Sequence, residues 1–204
     1  MYFESGRSGN VAGQIDIFQG TGTGERRYNI KVTYIHCSST YRAPSGCTQY
    51  FTGLAGTITS YNFAGGQILE NQHYGNCIRQ NEGYCSVVYS ETPITTPDPF
   101  SLSPVPAGDP ATVTDNCMPL SHVTVPSQII QHLDSPQASQ SLVTYVPSMR
   151  CNKVFGSLPG TAVPGSLESE RGFPFVLGFH SRSSEAGALA DLGGFSLDFR
   201  QKPC

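Results

Sequence analysis

The sequence predicts an all-β, antiparallel β-sandwich held by disulfides, and three observations point to it. Helical periodicity is almost absent along the 204 residues. Short alternating runs rich in β-branched and aromatic residues instead recur between Gly, Pro and Ser clusters, the pattern of strands joined by turns. Seven cysteines, Cys37, Cys47, Cys77, Cys85, Cys117, Cys151 and Cys204, occur without a single Cys-x-x-Cys pair. That usage reads as a disulfide framework of an oxidising compartment, because a structural zinc site needs close pairs.

In chain order, strands are expected near Gln14–Phe18, Tyr28–Ile35, Gly56–Phe63, Asn76–Gln80 and Tyr84–Ser90, where apolar and polar residues alternate. Further strands are expected near His122–Val125, Leu142–Val146, Phe173–Phe179 and Gly194–Arg200. Ser127–Leu133 and Ser183–Asp191 each suit a helical turn, and the first equally suits a strand continuation. Many short strands with turn-rich connections make a sandwich the default architecture. Seven prolines at 93, 97, 99, 104, 106, 110 and 119 mark a long surface connection or edge, since proline cannot donate into a ladder. A second loop, Gly156–Gly172, carries Gly-Ser-Leu-Pro-Gly and Pro-Gly-Ser. Both loops are places where binding residues can sit, or equally tolerated insertions.

Composition excludes several partners. The formal charge is −3, and Lys and Arg form no extended run, which argues against nucleic acid and anionic membrane. No stretch reaches the ~18 apolar residues of a membrane span. Met1–Gly6 lacks the basic start and apolar region of a secretory signal, so the chain reads as a piece of a longer parent. Histidines 36, 73, 122, 132 and 180 are spaced singly and read as strand or surface residues, with no metal ligand set. Gly20-Thr-Gly-Thr-Gly24 opens no helix and reads as a hairpin turn. Neither a nucleophile elbow nor a close carboxylate pair is present, so no catalytic residue is expected. Tyr34, Tyr41, Tyr50, Tyr61, Tyr74, Tyr84, Tyr89 and Tyr145 could form an amphipathic contact surface, although half-buried strand tyrosines account for most.

One internal repeat organises the chain. Tyr28–Cys37 and Phe195–Cys204 share aromatic, aliphatic and terminal cysteine positions at equal spacing. Residues 1–37 therefore read as the closing strands of an upstream module, 38–46 as a linker, and 47–204 as a whole module.

The residues of that module resemble a known family. Cys47-Thr-Gln-Tyr-Phe-Thr-Gly-Leu-Ala-Gly-Thr-Ile-Thr-Ser-Tyr-Asn-Phe, followed by Asn71-Gln-His-Tyr and Cys77-Ile-Arg, resembles the opening of a CUB domain. Arg150-Cys151 with Gly156, the strand Phe175–Ser181, and Gly194-Phe195-Ser-Leu-Asp-Phe resemble its later cysteine and closing strands. Ala43–Cys47, Cys77–Cys85 and the terminal Pro203-Cys204 are most similar to CUB-type domains of secreted arthropod proteins of unassigned function.

The resemblance implies a jelly-roll-like sandwich in a secreted, extracellular protein. It also implies the pairings Cys47–Cys77, Cys117–Cys151 and Cys85–Cys204, which sequence alone leaves among fifteen possibilities for six cysteines. Cys37 then corresponds to the last cysteine of its own truncated module, with its partner upstream, or is a free thiol, or links two chains. Many CUB domains hold calcium with a Glu and two or three Asp. Here Met118-Pro119-Leu120 follow Cys117 and His180-Ser181-Arg182 follow Phe179, while Asp109, Asp115, Glu185 and Asp191 do not match the pattern. Calcium is therefore not expected, nor any other cofactor. The function expected is a non-enzymatic module that binds protein partners or self-associates. Two alternatives are a structural subunit using strand addition and a regulatory or carbohydrate-binding domain of a larger secreted protein.

Overall fold

The computed structural model describes residues 1–4, 14–17, 27–63, 68–102, 117, 120–126, 128–131, 144–146, 149–151, 154–155, 165–182 and 192–204, with the backbone alone at 128–131 and 144–146. Its strands are β1 (Cys47–Phe51), β2 (Ala55–Thr59), β3 (His73–Ile78), β4 (Tyr84–Glu91), β5 (Phe100–Ser101) and β6 (His122–Thr124). There follow β7 (Gln128–Gln131), β8 (Thr144–Val146), β9 (Met149–Arg150), β10 (Ser166–Ser169), β11 (Val176–His180) and β12 (Gly194–Pro203). They form two sheets, one ordered β1-β3-β11-β6-β9 and the other β2-β12-β4-β10-β7-β8, with β5 on β12.

Alternation explains how the sheets meet. Along β12, Phe195, Leu197 and Phe199 are buried, and they pack with Ile58 of β2, Val87 and Tyr89 of β4, and Leu167 of β10. The facing sheet contributes Ile78, Leu177, Phe179, Val123 and Val125 to the same core. Rings stitch the layers: Phe179 and Phe195 lie 5.3 Å apart centre to centre, and Phe51 and Phe199 5.5 Å. Gln201, also buried, donates from Nε2 to Gly53 O and Arg79 O and accepts from Asn81 N, so its amide is satisfied at both ends.

Several expectations need correction. Residues 14–17 and 27–36 form no strand and are exposed; a lone segment has no sheet face on which to bury its apolar positions. The expected strand Leu142–Val146 is present over Thr144–Val146, and 142–143 lie outside the described residues. Ser127–Leu133, left open between a helical turn and a strand, holds the strand β7. In the proline stretch the described start is the edge rather than the surface connection: β5 pairs with β12, and Phe100 and Leu102 are fully buried. Gly156–Gly172 hides β10, whose Ser-Leu-Glu-Ser carries one apolar residue and so no readable alternation. Its Glu168 is buried because Ser86 Oγ donates to it at 2.6 Å and Lys202 Nζ at 2.7 Å. Finally, β1 and β3 run parallel, which the crossing of the chain through β2 in the other sheet allows. Gly20–Gly24 and Ser183–Asp191 lie outside the described residues.

Candidate functional site

The structure joins Cys47 to Cys77, Cys85 to Cys204 and Cys117 to Cys151, with Cα–Cα distances of 5.6, 4.9 and 5.8 Å. The first bridge ties the paired strands β1 and β3. The second fastens the end of β12 to the start of β4, beside the bond from Cys204 N to Gly83 O at 3.0 Å. Cys37 is exposed and takes part in no disulfide.

Histidines separated in sequence come together in space. In the five-stranded sheet β11 lies between β3 and β6, and the register sets His73 opposite His180 and His180 opposite His122. Phe179 and Val123 point into the core, so strand alternation places their neighbours His180 and His122 on the outer face, with His73 beside them. The Nδ1 atoms of His73 and His180 are 2.8 Å apart, and the rings meet edge to face. His122 stacks on His180 with an interplanar angle of 23°. Its own Nδ1 lies 2.8 Å from Leu120 O, an acceptor, so that nitrogen carries the proton. Burial, with His73 and His122 adding to it, pushes the His180 imidazole below its ordinary value. Spacing in the chain could not find this row, since it depends on which strands become neighbours.

A second titratable group is Glu91 at the end of β4. Its Oε1 accepts from Phe155 N at 2.6 Å, and burial, helped by Asp98 nearby, raises the carboxyl to about 7. Sequence reading passed over it, because a lone acid closing a strand looks like a solvent-facing residue. Of the calcium-type acids weighed above, Asp109, Asp115, Glu185 and Asp191 fall outside the described residues. Among the described residues, no group of three or more His, Cys, Asp or Glu side chains is arranged to share one metal ion. His36 bonds only locally, with Nδ1 2.7 Å from Ser38 Oγ, and His132 lies outside the described residues.

The tyrosines divide. Tyr61 and Tyr74 pack with centroids 4.9 Å apart, and burial raises both phenols. Tyr89 is fully buried. Tyr34 and Tyr41 are exposed, and with Tyr28, Ile30, Val32 and Ile35 they make the linker-side segment an uncovered apolar surface.

These features define a disulfide-stapled two-layer β module whose distinctive chemistry lies on its outer face and its N-terminal segment. The animal CUB domain model matches residues 44–202, and the chain belongs to that family. Among solved structures, the human MASP-1/3 CUB1-EGF-CUB2 domain is similar at 17% identity and a TM-score of 0.41, over 76% of this chain and 42% of that one. The MASP-1 CUB2 domain bound to Ca2+ is similar at 17% identity and a TM-score of 0.39, over 76% of this chain and 98% of that one. No curated protein matches. What is established is the animal CUB family, not an arthropod branch of it. No helix among the described residues is long and apolar enough to cross a membrane.

Proposed function

We propose that this chain is a secreted, non-enzymatic CUB module that binds protein partners. The observation that carries this reading is the exposed alternation of Tyr28, Ile30, Val32 and Tyr34, apolar residues that lie outside the core formed by the described residues. In this reading residues 1–37 are the closing strands of an upstream CUB-like module, 38–46 the linker and 47–204 the second module. Wherever that upstream module does not cover it, the 28–35 segment adds as a strand to a partner's sheet edge, where backbone bonds give affinity and alternate side chains give specificity.

A second reading, self-assembly by strand addition, draws on one bond. Tyr2 N donates to Thr48 O at 2.7 Å on the outer edge of β1, so that edge already accepts backbone from another segment. Both readings are tested by placing a photo-crosslinking residue at Tyr34 in the full chain secreted from animal cells. A covalent adduct with a protein, lost in the Ile30→Asp/Val32→Asp double variant, supports the module; a second copy in the adduct selects self-assembly. Absence of any protein adduct refutes the interaction function.

A further inference from the structure

We propose that His73 and His180 chelate one divalent transition-metal ion, Cu2+ before Ni2+ or Zn2+, through their Nδ1 atoms on the outer face of the five-stranded sheet. Two imidazole nitrogens aimed at each other across directly paired strands are a ready bidentate donor set. In the metal-free pair one Nδ1–H donates to the other Nδ1; on chelation that imidazole carries its proton on Nε2 instead, leaving both Nδ1 lone pairs for the ion.

The spacing selects the ion. With metal–nitrogen bonds of about 2.0 Å, two ligands at right angles sit about 2.8 Å apart, and that is the separation of the two Nδ1 atoms. Right-angled nitrogen pairs belong to tetragonal Cu2+ and Ni2+ sites. A tetrahedral ion such as Zn2+ needs about 3.3 Å between the same atoms, so the rings must part by roughly half an ångström. The order of intrinsic affinities runs the same way, with Cu2+ highest.

The pair is held in place. Next to His180, Ser181 N donates to Gln72 O at 2.8 Å, Gln72 N donates to Ser181 Oγ at 2.8 Å, and Ser181 Oγ donates to Leu69 O at 2.6 Å. These bonds fix the backbone that carries both histidines. On the other side His122, oriented by Leu120 O, stacks against the His180 ring and limits its rotation. His122 is thus a positioning residue. His73 is exposed, which leaves the ion a path in and open coordination positions for water or for a donor from another molecule.

The test is titration of the full chain with Cu2+, Ni2+ and Zn2+ in a Cys37→Ser background, which removes the free thiol as a competing ligand. One equivalent of Cu2+ is expected to bind. The electron paramagnetic resonance spectrum is expected to show coupling to two imidazole nitrogens. His73→Gln and His180→Gln should each weaken Cu2+ binding at least ~10-fold, while His36→Gln changes nothing. Metal-free melting temperatures of the variants, compared with the parent, show whether each still folds; the nitrogen coupling in the unsubstituted histidine pair tests the site even where a variant does not. Absence of stoichiometric Cu2+ binding, or Cu2+ bound by His73→Gln and His180→Gln as tightly as by the parent, overturns the proposal.

Discussion

Removing the bridge between Cys85 and Cys204 should be the most damaging of the disulfide losses. These cysteines are 119 residues apart, and in the chain-entropy relation such a crosslink withholds ~4.9 kcal/mol of unfolded-state freedom. The Cys117–Cys151 bridge, spanning 34 residues, lies inside that loop and shortens it, which lowers the value to ~4.6 kcal/mol. Cys47–Cys77, 30 residues apart and independent of both, is worth ~3.6 kcal/mol on the same relation. Local structure widens the gap, because Pro203 at the end of β12 cannot donate to the ladder and Cys204 N alone reaches Gly83 O. The assay is equilibrium urea unfolding in non-reducing buffer of C85S/C204S and C47S/C77S, with Cys37 alkylated throughout to prevent exchange. C85S/C204S should lose about 1 kcal/mol more than C47S/C77S and show a steeper denaturant dependence, since its unfolded chain is more expanded. A C85S/C204S variant that is more stable than C47S/C77S would refute the loop-closure reasoning.

Other consequences follow from single side chains. Glu91 has a folded-state value of about 7 against an ordinary 4.5, so its contribution is full below pH 4.5 and is lost as pH rises to 7. Urea midpoints measured from pH 4 to 8 should lose that part of their slope in Glu91→Gln, which keeps an acceptor for Phe155 N. The hydroxyl of fully buried Tyr89 has no hydrogen-bond partner among the described residues, so Tyr89→Phe should leave stability unchanged or raise it by up to about 1 kcal/mol in the same assay. Gly194 sits at φ +95°, and a Cβ there would strike Ser60 Oγ, the acceptor for Phe195 N. Gly194→Ala should therefore cost about 2–3 kcal/mol or more, read as a lower urea midpoint.

The fold was legible wherever apolar residues alternate over several positions. β4 buries Val87 and Tyr89, and β12 buries Phe195, Leu197 and Phe199, at alternate positions, and that apolar periodicity marks both strands in the sequence. β10 was hidden because its buried Glu168 is made tolerable by Ser86 and Lys202 from other strands, compensation that no local window contains. The error at Tyr28–Ile35 has the opposite cause. Its pattern suits a strand, but a strand exists only with a partner, and pattern carries no information about partners. The histidine row failed for a related reason: His73 and His180 are 107 residues apart and meet only once β3 and β11 are set in register. Family membership was readable from the Gly-Thr-Ile opening and the closing Gly-Phe strand, whereas Glu91 and the outer-face imidazoles required three dimensions.

β12 is the spine of the larger sheet, with β2 on one side, β4 on the other and β5 against its first residues. Thr57 of β2 donates to Asp198 of β12, 141 residues further along the chain. While the polypeptide is being synthesised, β2 and β4 must wait for most of the module to emerge before their central neighbour arrives. Until then both present open edges and bare apolar faces, at some risk of wrong association. Closure is consequently late and slow, and chaperones have a defined interval in which to shield those two strands.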